Sequence, residues 1–523
     1  MNQKIKSKAL WLALAVLATQ ACTEDFEGLN KNQKHISDQG LSYDANEGGF
    51  LLPSMMNNIV SITTSVQTQQ NLQAESYAGY LEPPGEFTGN VNTLTYNTRG
   101  RWPGSWTVTT NSVMNNWVAM YKNNIQEKYP DLYAIALIAK VFGGHRLVDT
   151  FGPYPYEEYG LTAEPKFNTP EECYALFFKD LDWAVAALQA AEAANPDADV
   201  TRFKRWDNST LKGEYTSWIK AANTLRLRLA IRISAVDAAQ AKTEAEKAID
   251  PANGGLLDET VGSFGVTNPA GNAYVTMRDA WSDTRMSAAI ISYMDGFGDP
   301  RLPAYARPAT DPALNGEYRG IRPGGKHPAK DTYVNFSLPN FQLTDPVTVM
   351  DVAESYFLRA EGALRGFNMG GTAQEFYEQG IRVSIEENGV SGADQYLQST
   401  STMLPYVDPK TANYSAPVLS NVTVKWDEGA GFETKLEKII TQKWIAMWPE
   451  GTEGWSEIRR TGYPKQYHIM DPQNPLLPLG TFIKRLTYPV VQVVNATPAG
   501  YAQAVQYLGR DDEDVTFYWM KDN

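Results

Sequence analysis

The chain has 523 residues, 43% of them hydrophobic and 20% charged, with a formal net charge of −14. That is a globular composition, long enough for a large core or for two or three packed subregions. The acidic balance disfavours nucleic acid and anionic headgroups, whose binding depends on neutralising phosphates.

The first predicted element is a leader. Lys4, Lys6 and Lys8 precede an apolar run from Ala9 to Ala18, then Ala21-Cys22 and Thr23-Glu24-Asp25-Phe26. A charged n-region, a short apolar stretch and a small residue before the cleavage point read as a secretory signal peptide. The run is about half of what a bilayer-spanning helix needs, so residues 1–21 are expected to be removed. A cysteine at the new N-terminus points to lipoprotein processing, with Cys22 carrying acyl chains that anchor the protein without a spanning segment. The alternative is a plain signal peptide with an incidental cysteine. Residues 22–45 then read as a tether and 46–523 as the folded body. With Cys22 lipidated, Cys173 stands alone and no internal disulfide forms.

Helical periodicity dominates the body. Helices are predicted over Phe50–Thr68, Ser105–Lys122, Asp131–Phe142, Glu171–Leu188, Leu211–Ser234, Ala238–Ile249, Arg285–Asp295, Val349–Leu364, Thr372–Glu387 and Leu436–Met447. Cys173 falls within the apolar stripe of Glu171–Leu188, as a buried thiol. Thr348 and Asp351 supply an N-cap for Val349–Leu364, and Glu361 to Arg365 is a supporting i,i+4 pair. Val418–Trp426 and Leu486–Val494 read as short strands. The stretches 80–104, 250–282, 296–347, 389–432 and 461–500 are irregular, but rich in Trp, Tyr, Pro and Gly, so they read as ordered loops. The fold class is mainly α: tetratricopeptide-like helix pairs forming a scaffold, with long ordered loops and minor β-hairpins. Trp117 and Tyr121, followed by Ala134, Ala136 and Ala139, loosely resemble such a repeat, without its strict period.

A series of blocks carries a resemblance. They are Cys22–Phe26, Arg146–Tyr156 (RLVDTFGPYPY), Lys220–Ala230 (KAANTLRLRLA), Asp299–Pro303 (DPRLP) and Glu354–Leu364. Further along come Gln442-Lys443-Trp444, Glu453-Gly454-Trp455, Arg459–Pro464 (RRTGYP) and Arg485–Pro489 (RLTYP). In order and spacing they resemble the SusD/RagB family of nutrient-binding surface lipoproteins, closest to its second, SusD-like subgroup. The resemblance implies four tetratricopeptide-like helix pairs, an outer-membrane location facing the cell exterior, and partnership with a SusC-type TonB-dependent transporter. It assigns the blocks mainly structural roles. Gly462 and Pro464 stop the helix containing Trp455 and Arg459, and Arg459 is spaced to stack its guanidinium on Trp455. The family's ligand-binding residues vary between members and do not carry over.

A sugar ring offers an apolar C–H face and a rim of hydroxyls, which flat aromatic surfaces and planar hydrogen-bonding groups recognise. Residues 94–106 supply both: Tyr96, Asn97, Arg99, Arg101, Trp102 and Trp106 in a loop broken by Gly100, Pro103 and Gly104. Trp102, Tyr96 and Arg99 are the favoured contacts; the competing reading has Trp102 and Trp106 pin the loop to the scaffold. A second cluster is Asn268, Asn272, Tyr274, Arg278 and Trp281, with Asp279 and Asp283 nearby. A third is Tyr333, Asn335, Phe336 and Asn340. Asp511-Asp512-Glu513-Asp514 is either a solvated acidic run or a structural calcium site; no other cofactor is implied.

Signs of catalysis are weak. There is no Gly-x-Ser-x-Gly elbow and no His-Glu-x-x-His helix, and His35, His145, His327 and His468 lack ligand spacing. Two carboxylates would suffice for a glycosidase, but a pair among 60 acidic residues carries no information. The reading is a non-enzymatic receptor for oligosaccharide or polysaccharide. Oligopeptide capture is the rival, and a glycoside hydrolase the more distant one.

Overall fold

The structure, a computed structural model, describes residues 45–194 and 202–521. The leader, Cys22 and all but the last residue of the expected tether lie outside the described residues. Gly48–Asn523 forms one unit, built mainly of helices with long ordered loops between them.

α1 is Leu52–Ile59. The expected helix Phe50–Thr68 does not run through, because Gln69 holds a break open. Its amide donates to the Asn58 and Ile59 carbonyls and its oxygen accepts from the Ser61 N–H at 2.7 Å. The chain resumes in a wide-turned helix, Gln67–Glu75. α2 joins Gly104–Thr109, a wide turn at Thr110–Met114 and Asn115–Lys122. α3, Pro130–Phe151, outlasts its predicted end at Phe142. A Cβ on Gly144 would stand 2.7 Å from the Tyr156 ring. This glycine serves close packing.

α4 is Pro170–Ala194, α5 Tyr215–Arg232, and α6 Ala238–Ile249, capped by Asp237. α7 is Ala288–Phe297. α8, Val352–Leu364, and α9, Ala373–Glu387, follow, the latter opened by a Thr372–Glu375 capping box. α10 is Phe432–Ala446, α11 Gly451–Thr461, and α12 Pro498–Leu508. α3 packs on α4, α5 on α6, and α8 on α9; α4–α5, α5–α8 and α8–α10 contacts stack the pairs side by side. Cys173 is buried in α4 as expected.

Three antiparallel two-stranded pairs join distant segments: β1 (Leu81–Glu82) with β3 (Arg285–Met286), β2 (Phe264–Val266) with β6 (Val347–Met350), and β4 (Ala306–Arg307) with β5 (Leu338–Pro339). Arg285-Met286 is therefore strand, and α7 starts only after its Ser287 cap. Likewise Val347–Met350 is strand, and Asp351 stands at the N-cap of α8 without a capping hydrogen bond. Val418–Trp426 and Leu486–Val494 are not strands. Lys438 of α10 takes the Thr423 and Lys425 carbonyls at 2.5 and 2.8 Å, leaving no ladder for 418–426 to join. Val490–Val494 is a wide helical turn with Val490 and Val491 exposed. α12 was not foreseen.

The motif blocks meet in two places. The last four carbonyls of a helix have no partner within it. At the end of α3 the Gly152 N–H takes Val148, Arg459 takes Asp149 at 2.6 Å, the Leu486 N–H takes Thr150, and Arg485 takes Phe151. Two of these donors are cations, which the negative helix end favours. Arg459 also lies 3.7 Å over the Trp455 ring, and Gly462 closes α11 at φ 81°.

The second meeting place is a buried charge network. Arg228 grips Glu354 through two hydrogen bonds at 2.8 and 2.5 Å. Arg232 pairs with Glu453 and, at 3.1 Å, with Glu457. Lys443 lies 3.0 Å from Glu453 and 3.3 Å from Glu457. Arg460 joins Glu457 to Glu361, which also pairs with Arg365 at 2.7 Å. Arg301 of the DPRL turn binds Asp299, Ser384 and Gln442. Buried charge survives only where it is matched like this. The Lys220–Ala230, Glu354–Leu364, Gln442–Trp444, Glu453–Trp455 and Arg459–Pro464 blocks each contribute to the network.

Candidate ligand-binding face

The 81–104 loop is folded, as its composition predicts. The Glu86 N–H donates to the His327 carbonyl at 3.1 Å, Asn92 and Asn97 exchange backbone hydrogen bonds, and Thr93 donates to the Leu72 carbonyl. Gln73 of the wide-turned helix donates to the Trp102 carbonyl at 3.2 Å. Trp102 is half-buried, and Phe87 meets it edge-on with ring centres 5.3 Å apart. Such an arrangement holds the indole rigid while leaving surface open. Trp102 also lines a small cavity of ≈170 Å³ with Gln73, Thr98, Leu486 and Val491.

Trp281 is 39% exposed. Lys330 reaches its carbonyl and the Asp283 carboxylate, each at 2.6 Å, and Gln67 donates to the other Asp283 oxygen at 3.0 Å. Ser282, at φ 54°, makes the left-handed turn between them. The Lys330 backbone passes so close to Gly85 that a Cβ there would stand 2.9 Å away. Gly85 is two residues before Phe87. Phe87 thus braces Trp102 from a segment whose Gly85 packs on Lys330, and Lys330 holds the Trp281 carbonyl.

The other predicted residues lie elsewhere. Asn97 is half-buried and donates to the Asn90 carbonyl. Arg99 is exposed and paired with Asp512 at 2.9 Å; Arg101 is exposed. Tyr96 is buried at φ 57°, edge-on to Tyr77, in the wall of a ≈630 Å³ cavity with Trp455 and Phe482. Trp106 is buried among Phe151, Tyr154 and Tyr488. Arg278 is buried, paired with Asp279, and donates to the Pro339 and Phe341 carbonyls. Tyr333 and Phe336 belong to a core cluster with Leu94 and Ile321; Tyr333 donates to Asp408. The Asn335 carbonyl accepts from the Thr310 and Asp311 N–H groups, and Asn268 donates to the Ile62 carbonyl.

Tyr274, Asn272 and Asn340 line a separate cavity of ≈540 Å³. The Tyr274 hydroxyl binds Glu75, which also accepts from Gln70 and Asn71. Burial lifts the Glu75 carboxyl to about 7 despite those donors. In the acidic run, Arg485 takes Asp511, Arg99 and Arg510 take Asp512, Arg510 takes Asp514, and Asn474 takes Glu513. Among the described residues no group of three or more His, Cys, Asp or Glu is placed to hold a metal. Phe87 and Lys330 escaped the sequence reading. An aromatic just after Pro83-Pro84-Gly85 was a usable signal for Phe87, whereas nothing local marks Lys330.

A family model described as SusD-like, "Susd and RagB outer membrane lipoprotein", matches residues 28–521. The chain belongs to the SusD-like family. A solved chitin-binding SusD homologue from Flavobacterium johnsoniae is similar at 39% identity and TM-score 0.85, covering 90% of this chain and 98% of its own. A SusD-like protein from Bacteroides thetaiotaomicron shares 32% identity, TM-score 0.84, with 91% and 99% covered. A SusD homologue from Bacteroides uniformis shares 32%, TM-score 0.83, with the same coverage. No curated protein matches. The SusD-like family is one of outer-membrane lipoproteins, and no described helix is long and apolar enough to cross a membrane.

Proposed function

We propose that this SusD-like protein captures a nutrient oligosaccharide on the Trp102–Trp281 face and performs no bond chemistry on it. Lipid on Cys22 holds it at the outer membrane, facing outward. From there it passes ligand to a SusC-type TonB-dependent transporter, where tethering keeps the local concentration high. The observation that carries the reading is Trp102, half open and braced by Phe87, with Trp281 also exposed. The two indoles suit the C–H faces of sugar rings, and Asp283, Lys330 and Gln67 offer polar groups for the hydroxyls. Tyr96, Trp106, Tyr274, Arg278 and Tyr333 then act as supports beneath. The chitin-binding relative makes β-linked N-acetylglucosamine oligomers the first ligand to try.

Calorimetry with chitin oligosaccharides and with oligopeptides tests this. Oligosaccharide binding is expected, weakened at least tenfold, about 1.4 kcal/mol, in Trp102→Ala and in Trp281→Ala. Hydrolysis of the oligosaccharide, tight binding of peptides alone, or full affinity in both variants would refute it.

A further inference from the structure

The ≈540 Å³ cavity lies apart from the Trp102 side chain and carries a different chemistry. Four rings run along it as one continuous stack. Tyr274 meets Phe341 at 4.6 Å, Phe341 meets Trp448 at 4.8 Å with planes 9° apart, and Trp448 meets Tyr305 at 4.6 Å. Asp351, Glu387 and Glu450 also line it.

Two of those carboxylates, Asp351 and Glu387, have no cation among the described residues, although Glu387 accepts from the Ser263 hydroxyl at 2.6 Å. Glu387 is the last residue of α9, where the helix end is itself negative. Burial and the neighbouring carboxylates of Glu387 and Glu354 push the Asp351 carboxyl well up. Glu450 is 3% exposed. One of its oxygens is occupied by Arg146 at 2.8 Å and by the Thr452 N–H. The other has no hydrogen-bond partner. Arg228 Nη1, itself without a hydrogen bond, pairs with that oxygen at 3.9 Å, while its Nε and Nη2 hold Glu354. The Trp448 indole N–H is also buried without a partner. Buried polar atoms in a native protein are nearly always satisfied, and both residues line this cavity.

We infer that this cavity binds a small organic cation: a primary ammonium group placed among Asp351, Glu387 and Glu450, on a body of about monosaccharide size lying along the Tyr274–Tyr305 ring stack. An ammonium ion donates three hydrogen bonds and supplies positive charge beside Asp351 and Glu387. Amino sugars and lysine side chains share this chemistry. The inference does not depend on the oligosaccharide face.

Calorimetry with D-glucosamine and with the dipeptide Lys-Gly, against neutral N-acetylglucosamine, separates the possibilities. One cation or both should bind saturably at one site, and the better ligand names the source. Affinity should fall at least tenfold in Asp351→Asn/Glu387→Gln and stay unchanged in Trp102→Ala. Ala304→Leu, which fills the cavity without touching a charge, should also weaken binding and decides the matter should the double variant melt early. Failure of both cations to bind, equal binding of N-acetylglucosamine, or wild-type affinity in the cavity variants would overturn the inference. The Trp102 reading would survive any of these results.

Discussion

Two groups of buried carboxylates behave in opposite ways. In the scaffold, Arg460 and Arg365 hold the Glu361 carboxyl well below its usual range, and Arg232 and Lys443 do the same for Glu453. Around the ring-stacked cavity, Asp351 and Glu75 are pushed up. Burial acts against charge in all four; the presence or absence of a cation within reach decides the direction. One region is therefore committed to holding helices together, while in the other burial biases the carboxyls toward their neutral form.

The largest test of this contrast is to break the matched side. Arg460→Ala leaves Glu361 and Glu457 short of a partner and should cost about 3–5 kcal/mol in urea denaturation. A loss below about 1 kcal/mol would mean the network is incidental. Next is the pH response of Glu75. Its carboxyl is raised from 4.5 to about 7, so between those values the folded chain keeps a proton that the unfolded chain releases. The stability it contributes is complete below about pH 4.5 and lost as pH rises through 7, by up to about 3 kcal/mol. Denaturation of wild type and Glu75→Gln across pH 4–8 should show the steeper decline in wild type; parallel curves would contradict the assignment.

On the unmatched side the sign reverses. Asp351→Asn removes a carboxylate that caps nothing and faces other acids, and should stabilise by about 1 kcal/mol. A lower melting temperature would show that Asp351 has a cation after all. The smallest effect belongs to the solvent-exposed pair Arg99–Asp512. Arg99→Ala should change stability by less than about 1 kcal/mol, and a larger loss would mark Arg99 as a strut of the loop.

Much of this architecture could be read in advance. The stripes of α4, α6 and α9, the Thr372 cap, the Glu361–Arg365 pair, the Gly462 stop and the Arg459–Trp455 stack are all local, fixed by residues within a few positions of each other. Arg285-Met286 and Val347–Met350 were misread because strand pairing with partners some 80 or more residues away overrode a helical pattern. The extension of α3 through Gly143-Gly144 depended on Tyr156 packing against it.

The amino-acid pattern alone determined a mainly helical, SusD-like chain, because periodicity, caps and motif blocks record what each segment needs from its neighbours. Only the tertiary structure decided which aromatics face solvent. Trp102, Trp106 and Tyr96 share one loop and one composition, yet only Trp102 stands partly open. Exposure is set by whichever distant segment covers a ring, here Tyr77, Phe151 and Tyr488, and no local pattern encodes that.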